Sequence, residues 1–220
     1  MAPDSSFNHN AAWRSKSVAE AYDGQRFTSL GGRLYDGMEK RAITKLLDLA
    51  EGLSPLREVL DLACGTGRIS EFLGRRGYQL TCGDISPDML AVARNRLAFL
   101  GDRVSFREVD IYATGLPDRA YDCVTAFRLF QHLVSDERAR ALREMARLSR
   151  RFVLVNVMYS SAYYDLVRRL RCTLGRYTTR YTSTTDEIRS ELGFARLRIV
   201  RTIFAQPGFN GNYVLLLEKS

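Results

Sequence analysis

Residues 59–67 read VLDLACGTG, an apolar run that ends in an acid and continues into a glycine-rich loop. A helical pattern starts at Arg68, so the segment predicts a strand, a tight turn and a helix in immediate succession. Glycine has no Cβ and tolerates positive φ, so Gly65 and Gly67 let the backbone approach a ligand closely. In open α/β sheets such a loop, at the carboxyl end of a buried strand, binds nucleotide-like ligands. The segment therefore predicts an α/β fold with a ligand site at the end of the first strand.

Strand-like and helix-like segments alternate through the rest of the chain. Apolar or alternating runs predict further strands over residues 78–83, 104–109, 121–127 and 152–157. Two later strands, over 196–204 and 212–218, predict a hairpin around Pro207 and Gly208. The alternation predicts a doubly wound sheet with helices on both faces.

Capping residues mark where the helices begin and end. Residues 34–50 have helical spacing before the first strand, and the helix after the glycine loop is expected to stop at Gly77. Hydroxyl residues followed by acids predict helix starts at 86–88, 135–137 and 184–187. Gly193 is expected to end the last helix.

The glycine loop suits more than one kind of nucleotide-like ligand, and the residues next to the loop distinguish between them. The dinucleotide fingerprint is G-x-G-x-x-G, and Ser70 occupies the third glycine position here. Asp61, just before the loop, would repel a pyrophosphate but attract an ammonium or sulfonium group. Asp84 follows the next apolar run, where an acid holds two ribose hydroxyls. Ser70 and Asp61 therefore disfavour a nicotinamide dinucleotide and favour a ligand with an ammonium or sulfonium group.

The loop resembles the first motif of the class I S-adenosylmethionine (SAM)-dependent methyltransferases of the small-molecule type, commonly D-x-x-C-G-T-G, and this resemblance favours SAM over a nicotinamide dinucleotide. The resemblance covers roughly residues 20–157. It implies an α/β, Rossmann-like seven-stranded sheet, mostly parallel, with a C-terminal antiparallel hairpin. It also implies one domain in four parts: an N-terminal helical lid (1–50), a SAM-binding core (51–157), a substrate-cap insertion (158–183), and a final helix with the hairpin (184–220).

The resemblance further implies that SAM contacts the ends of several strands. Asp61 and the glycines would meet its methionine end, although Asp61 also suits a strand-end cap. Asp84 would bind the ribose, and Met89 would line the adenine or fill the core. The implied cofactor residues are Tyr22, Arg26, Asp61, Ala63 (in place of a frequent glycine), Gly65, Gly67, Asp84, Ile85, Met89, Asp110, Ile111 and Phe127.

Residues 127–133, FRLFQHL, resemble the end of the fourth motif of small-molecule methyltransferases. A histidine at that position is a general base in some of those enzymes, and a hydroxyl acceptor requires a base. His132 is therefore the candidate catalytic residue, with helix capping or a backbone hydrogen bond as the structural alternative. Asn156 is not followed by the P-P-Y of nucleic-acid base methylases, which disfavours such acceptors.

The net charge of +8 is concentrated in residues 138–180, which contain 11 arginines and two acidic residues. This basic region suits an anionic partner, and a solvated face is the alternative interpretation. Tyr159, Tyr163 and Arg168 are candidate substrate residues, since rings stack on sugars and guanidinium groups bind carboxylate or phosphate. The same segment has the pattern of a basic amphipathic helix that contacts a membrane surface.

Composition excludes several other classes of protein. No run of about 18 apolar residues predicts a transmembrane helix, and residues 1–10 lack the apolar core of a signal peptide. The four cysteines lack C-x-x-C spacing, which predicts reduced thiols, a cytoplasmic location and no metal site.

The sequence predicts transfer of a methyl group from SAM to a small or glycan-like, anionic acceptor, at oxygen. A protein or RNA methyltransferase is favoured only by the basic region, and no nucleic-acid-binding module is evident. A SAM-binding protein without catalytic activity is the third alternative.

Overall fold

The computed structural model of the chain describes residues 30–160, 181–205 and 211–220. Several predictions lie outside the described residues, namely those for Tyr22, Arg26, Tyr163, Arg168, Pro207 and Gly208. The fold of the described residues is therefore the basis for placing the remaining site residues.

Seven strands of the described residues form one sheet in the order β3-β2-β1-β4-β5-β7-β6. The first five are parallel, and β7 pairs antiparallel with both β5 and β6. This confirms the predicted mostly parallel sheet with an antiparallel C-terminal hairpin. The strands are β1 (Glu58–Leu62), β2 (Gln79–Asp84), β3 (Val104–Glu108), β4 (Tyr121–Ala126), β5 (Ser149–Met158), β6 (Leu197–Phe204) and β7 (Asn212–Lys219).

Five α-helices of the described residues cover both faces of the sheet. Helices α1 to α3 contribute to one buried apolar cluster, and α4 and α5 contribute to another on the opposite face. The predicted doubly wound arrangement is confirmed. The helices are α1 (Leu30–Leu53), α2 (Arg68–Arg75), α3 (Pro87–Leu97), α4 (Ser135–Leu148) and α5 (Thr185–Ala195).

The order of the strands places a crevice beside β1. The chain proceeds from β1 outward to β2 and β3, then returns to β4 on the other side of β1. Asp61 of β1 is in register with Cys82 of β2 and Thr125 of β4, so the carboxyl ends of these strands meet at one edge. In open α/β sheets, ligands bind at such a reversal of strand order.

Helix α1 extends from Leu30 to Leu53, so the predicted boundary at residue 50 falls inside it. Its buried side chains include Ile43, Leu46 and Leu47, which belong to the core cluster shared with the sheet. The second half of α1 is therefore part of the core, because its apolar stripe packs there.

Two of the three predicted helix starts have the expected caps. The Ser86 hydroxyl accepts a hydrogen bond from the Met89 N–H at 3.3 Å, with Pro87 at the first helical position. The Thr184 hydroxyl accepts from the Glu187 N–H at 3.2 Å, and the Glu187 carboxylate accepts from the Thr184 N–H at 2.8 Å. Both ends satisfy backbone donors that a helix leaves unpaired.

Two capping predictions were wrong, although α4 spans Ser135–Leu148 as predicted. Val134, rather than Ser135, precedes α4 as its cap residue, because the Ser135 hydroxyl donates across to Glu191 of α5 at 2.7 Å. Helix α5 passes through Gly193 and ends at Ala195, which is buried and so keeps the last turn packed on the core. Arg196 takes the left-handed conformation there, and its N–H donates to the Gly193 carbonyl.

Candidate functional site

The loop after β1 has the left-handed backbone that its glycines predict. Ala63, Gly65 and Gly67 have φ values of 51°, 55° and 80°. The Cys64 N–H donates to the Gly83 carbonyl of β2 at 3.1 Å, and the Gly67 N–H donates to the Cys64 carbonyl at 3.0 Å. Ala63 shows why glycine is frequent at its position, since a residue with a Cβ is strained there.

Alanine substitutions at the two loop glycines are expected to separate backbone strain from crowding. Gly65→Ala should cost about 1–2 kcal/mol of unfolding free energy, since the left-handed backbone disfavours a Cβ and no other atom lies within 4 Å of one. Gly67→Ala should cost about 1–3 kcal/mol more, because its Cβ would lie 3.2 Å from the Ala93 Cβ. Urea unfolding measures both, and equal losses would contradict the crowding at Ala93.

Asp84 joins the glycine loop to the turn that starts α3. Its Oδ2 accepts from the Gly65 N–H at 2.8 Å, and its Oδ1 accepts from the Ser86 N–H at 2.9 Å. The residue is 8% exposed, and burial raises the pKa of the carboxyl while the backbone donors oppose that effect. Each oxygen keeps a further lone pair for a ligand donor such as a hydroxyl group.

Asp61 is a buried carboxylate held by two hydroxyl groups. Its Oδ2 accepts from the Ser70 hydroxyl at 2.5 Å, and its Oδ1 accepts from the Thr125 hydroxyl at 2.8 Å. The residue is 1% exposed, and burial raises the pKa of its carboxyl to about 6, although both hydroxyls lower it. Within the described residues no salt bridge reaches Asp61 or Asp84. A buried anion of this kind is stabilised by a cationic ligand.

We expect Asp61→Asn to remove a stability cost that grows with pH. A pKa of about 6 in the folded protein means that it holds the Asp61 proton more tightly than the unfolded chain does, where the value is near 3.8. The free energy of unfolding therefore falls as the pH rises from about 3.8 to about 6. Above pH 6 it stays about 3 kcal/mol lower than it would be without this pKa shift. Urea unfolding of wild type and variant from pH 4.5 to 7.5 measures the difference. Parallel profiles would contradict it.

The residues implied for the adenine lie after the carboxyl ends of β2 and β3. Ile85 is half-buried and Met89 is buried, in the segment that follows Asp84. Asp110 follows β3, and its carboxylate accepts from the Tyr112 N–H at 2.9 Å. Ile111 packs against the apolar cluster on the α4 face, whereas Phe127 belongs to the opposite cluster. Phe127, which the resemblance implies to border the sulfonium through its backbone, has its ring buried in that cluster.

The turn between β4 and α4 carries the candidate base. His132 is half-buried, and its Nε2 lies 3.1 Å from the Gln131 side-chain nitrogen. That nitrogen also donates to the Arg128 carbonyl at 3.3 Å, which identifies it as the amide NH₂. His132 Nε2 is therefore the acceptor of this bond, so it carries the lone pair that a base needs.

The candidate substrate residue Tyr159 lies at the end of β5. Its ring contacts Tyr213 edge to face, with the centroids 4.9 Å apart, and Tyr213 contacts Phe204 at 4.8 Å. The Tyr159 N–H donates to the Gly211 carbonyl at 2.7 Å. The contacts place an aromatic cluster at the edge of the sheet where the parallel strands end.

The described part of the basic region is largely engaged within the protein. Each of its six arginines lies against a carboxylate or an aromatic ring, which favours the structural interpretation of these residues. The pairs are Arg138 with Glu191, Arg140 with Tyr112, Arg143 with Phe194, Arg147 with Glu144, Arg150 with Asp122, and Arg151 with Glu218.

Two further kinds of feature are absent from the described residues. No group of three or more histidine, cysteine or acidic side chains in this part of the chain is arranged to hold a metal ion. None of the helices in residues 30–160, 181–205 and 211–220 has the length and apolar character needed to cross a membrane.

Sequence reasoning did not assign a role to Ser70, Thr125 or Asn156. Ser70 served only to exclude a dinucleotide, yet it holds Asp61. Thr125 and Asn156 are polar residues inside buried strands. The sequence signal that could have found Thr125 and Asn156 is a polar side chain within an apolar run. Such a residue needs a hydrogen-bond partner when it is buried, and so predicts a specific contact.

Residues 59–151 match a family described as a methyltransferase domain. The chain is 36% identical over 125 residues to a demethylmenaquinone methyltransferase of Thermus thermophilus, covering 56% of each protein. It is 30% identical over 176 residues to the ubiquinone/menaquinone biosynthesis C-methyltransferase UbiE of Cellvibrio japonicus, covering 74% of this chain and 68% of the relative. The chain spans about half the length of the Thermus relative.

The fold is similar to that of a solved structure, magnesium protoporphyrin IX methyltransferase (ChlM) of Synechocystis PCC 6803 with bound SAH. The TM-score is 0.75, and the match covers 93% of this chain and 98% of that chain. The two sequences are 18% identical, so this likeness concerns the fold alone.

Proposed function

We propose, since the chain belongs to the class I SAM-dependent methyltransferases, that it transfers a methyl group from SAM to a small-molecule acceptor. The observation that carries the proposal is the pair of buried carboxylates, Asp61 and Asp84, on either side of the left-handed glycine loop. A buried anion at the end of β1 suits the cationic methionine end of SAM. The spare lone pairs of Asp84 suit the ribose hydroxyls.

The donor set therefore fits SAM. Gly65 and Gly67 leave room for a close approach of the ligand to the backbone, and Ile85 and Met89 present apolar surface beside Asp84. When bound, SAM supplies an electrophilic methyl group on a positively charged sulfur. The remaining work of the protein is to hold an acceptor in line and to take up its proton.

We infer oxygen as the acceptor atom, with His132 as the base. An acceptor hydroxyl becomes a strong nucleophile when its proton passes to His132 Nε2. That nitrogen accepts a hydrogen bond from Gln131, which the acceptor hydroxyl would replace. The oxygen then attacks the methyl carbon as the carbon–sulfur bond breaks, and the sulfur keeps the bonding electron pair.

The names of two relatives support a hydroxylated aromatic acceptor. One is named a demethylmenaquinone methyltransferase, and the other a ubiquinone/menaquinone biosynthesis C-methyltransferase. Reduced quinones present both hydroxyl oxygens and a ring carbon, so carbon is the alternative acceptor atom. The aromatic cluster of Tyr159, Tyr213 and Phe204 offers surface on which a ring would stack. An anionic or glycan-like acceptor stays a prediction.

The test is methyl transfer from SAM to reduced 1,4-naphthoquinone, to catechol and to 3,4-dihydroxybenzoate, with the product analysed by mass spectrometry and NMR. A methyl ether supports oxygen, whereas a methylated ring carbon overturns the acceptor atom but keeps the activity. A lower KM for the dihydroxybenzoate than for catechol supports an anionic acceptor. Tight SAM binding without transfer to any of these would favour the non-catalytic alternative.

A further inference from the structure

Asn156 is a buried polar side chain at the end of β5 that the proposed mechanism does not use. It is 2% exposed and lies between Val155 and Val157. Its Oδ1 accepts a hydrogen bond from the backbone N–H of Arg128 at 2.5 Å. Arg128 has φ of 62°, a left-handed conformation that residues with a Cβ rarely adopt. A specific contact is therefore needed to hold this backbone, and Asn156 provides one.

The orientation of the Asn156 amide is determined by a chain of hydrogen bonds toward the glycine loop. Its Nδ2 donates to the Asn212 Oδ1 at 3.1 Å, and the Asn212 Nδ2 donates to the Tyr35 hydroxyl. That hydroxyl donates to the Glu39 carboxylate at 3.1 Å, which Arg68 also contacts.

A backbone N–H can only donate and a carboxylate can only accept, so the sense of every bond in this chain is set from both ends. Glu39 is fully buried, and Arg68 is the first residue of α2, directly after the glycine loop. The Asn156 oxygen is therefore held toward Arg128 by contacts that begin beside the cofactor loop.

The backbone of Arg128 leads into the turn that carries His132, the candidate base. The Arg128 carbonyl accepts from the Gln131 amide, and the same amide donates to His132 Nε2. The next backbone bond, from the His132 N–H to the Leu129 carbonyl at 2.8 Å, closes the turn. A change at Asn156 would thus reach His132 through the backbone of the turn, which stays in place when an acceptor hydroxyl replaces the Gln131 amide at His132 Nε2.

We propose that Asn156 is a positioning residue, which sets the backbone of the β4–α4 turn and thereby the acceptor side of the site. This role rests on the proposed methyl transfer. Asn156 lies on β5, so it is two strands away from Asp61 and touches neither of the two carboxylates assigned to the cofactor. Its loss should therefore affect the acceptor more than SAM, whose implied contact beside Arg128 is Phe127.

The test compares Asn156→Leu, which has a similar size but no acceptor, with Asn156→Asp, whose buried and protonated carboxyl keeps an oxygen for the Arg128 N–H and a hydroxyl donor for the Asn212 Oδ1. Hydrogen exchange of the peptide that covers residues 127–133 should be at least about tenfold faster in the leucine variant and near wild type in the aspartate variant. With reduced 1,4-naphthoquinone, kcat/KM should fall roughly 10- to 100-fold in the leucine variant only. The affinity for S-adenosylhomocysteine, measured by calorimetry, should change by less than about fivefold in both, which is less than the fall in kcat/KM, since Phe127 is the implied cofactor residue beside Arg128.

Wild-type exchange and wild-type kcat/KM in Asn156→Leu would overturn the proposal. Equal losses of activity in the two variants would also overturn it, because the aspartate keeps the contact with Arg128. If Asn156→Leu does not fold, Asn156→Ser replaces it, since the shorter hydroxyl does not reach that N–H. If the wild-type protein methylates no acceptor, the proposed function fails, and the exchange data still decide whether Asn156 holds the turn.

Discussion

Replacing His132 with glutamine is expected to lower kcat about 10²- to 10⁴-fold with a hydroxyl acceptor, the usual contribution of a general base. Glutamine has a similar reach and is polar, but it cannot take up a proton. His132 is half-buried and does not belong to either core cluster. The melting temperature and the SAM affinity should therefore stay close to wild type. Initial rates and calorimetry measure both.

A thiophenolate acceptor provides the control for this variant, since it is already ionised at neutral pH and needs no base. Wild type and His132→Gln should methylate it at nearly equal rates. The structural alternative predicts the reverse pattern, with a lower melting temperature and an unchanged kcat per folded molecule. That pattern, or normal turnover of a hydroxyl acceptor, would remove His132 from the catalytic residues.

Asp84→Ala is expected to weaken SAM binding by about 2–3 kcal/mol, because charge-assisted hydrogen bonds are lost in a buried site. This corresponds to a roughly 30- to 150-fold higher Kd in calorimetry. Asp84→Asn should lose nearly as much. Its amide nitrogen would face either the Gly65 N–H or the Ser86 N–H, two donors that the carboxylate accepts from.

Asp122→Ala is the matched control, because Asp122 accepts from the N–H groups of Arg57 and Glu58 at 2.8 and 2.9 Å. It thus resembles Asp84 in its backbone bonds but lies near the start of β4, at the opposite edge of the sheet. It should lose stability while SAM affinity stays within about twofold, since two hydrogen bonds are removed far from the site. An unchanged Kd in Asp84→Ala would contradict the ribose contact.

Several local features of the fold were predictable from neighbouring residues. The strand, loop and helix around residues 59–75 follow from an apolar run, two glycines and a helical pattern. The start of α3 at Pro87 and the start of α5 at Thr185 follow from caps whose partners are three residues away. Such signals are reliable because donor and acceptor lie in the same turn.

The two capping predictions that were wrong show where distant contacts outweigh local sequence signals. The Ser135 hydroxyl has the chemistry of a cap, but Glu191 of another helix takes it. Gly193 has the chemistry of a stop, but burial of Ala195 against the core continues the helix. Tertiary packing contributes more than intrinsic preference in both cases.

The sequence by itself determined the alternation of strands and helices, the glycine loop, and the placement of Asp61 and Asp84 at strand ends. These follow from the period of apolar residues and from backbone sterics, which act within a few residues. Only the tertiary structure decided what holds each site residue. Thr125 is 64 residues from Asp61, and Asn212 is 177 residues from Tyr35, so the sheet must form before these groups meet. Burial then raises the pKa of Asp61, because the electrostatic cost of a charge depends on the surrounding atoms rather than on its neighbours in the chain.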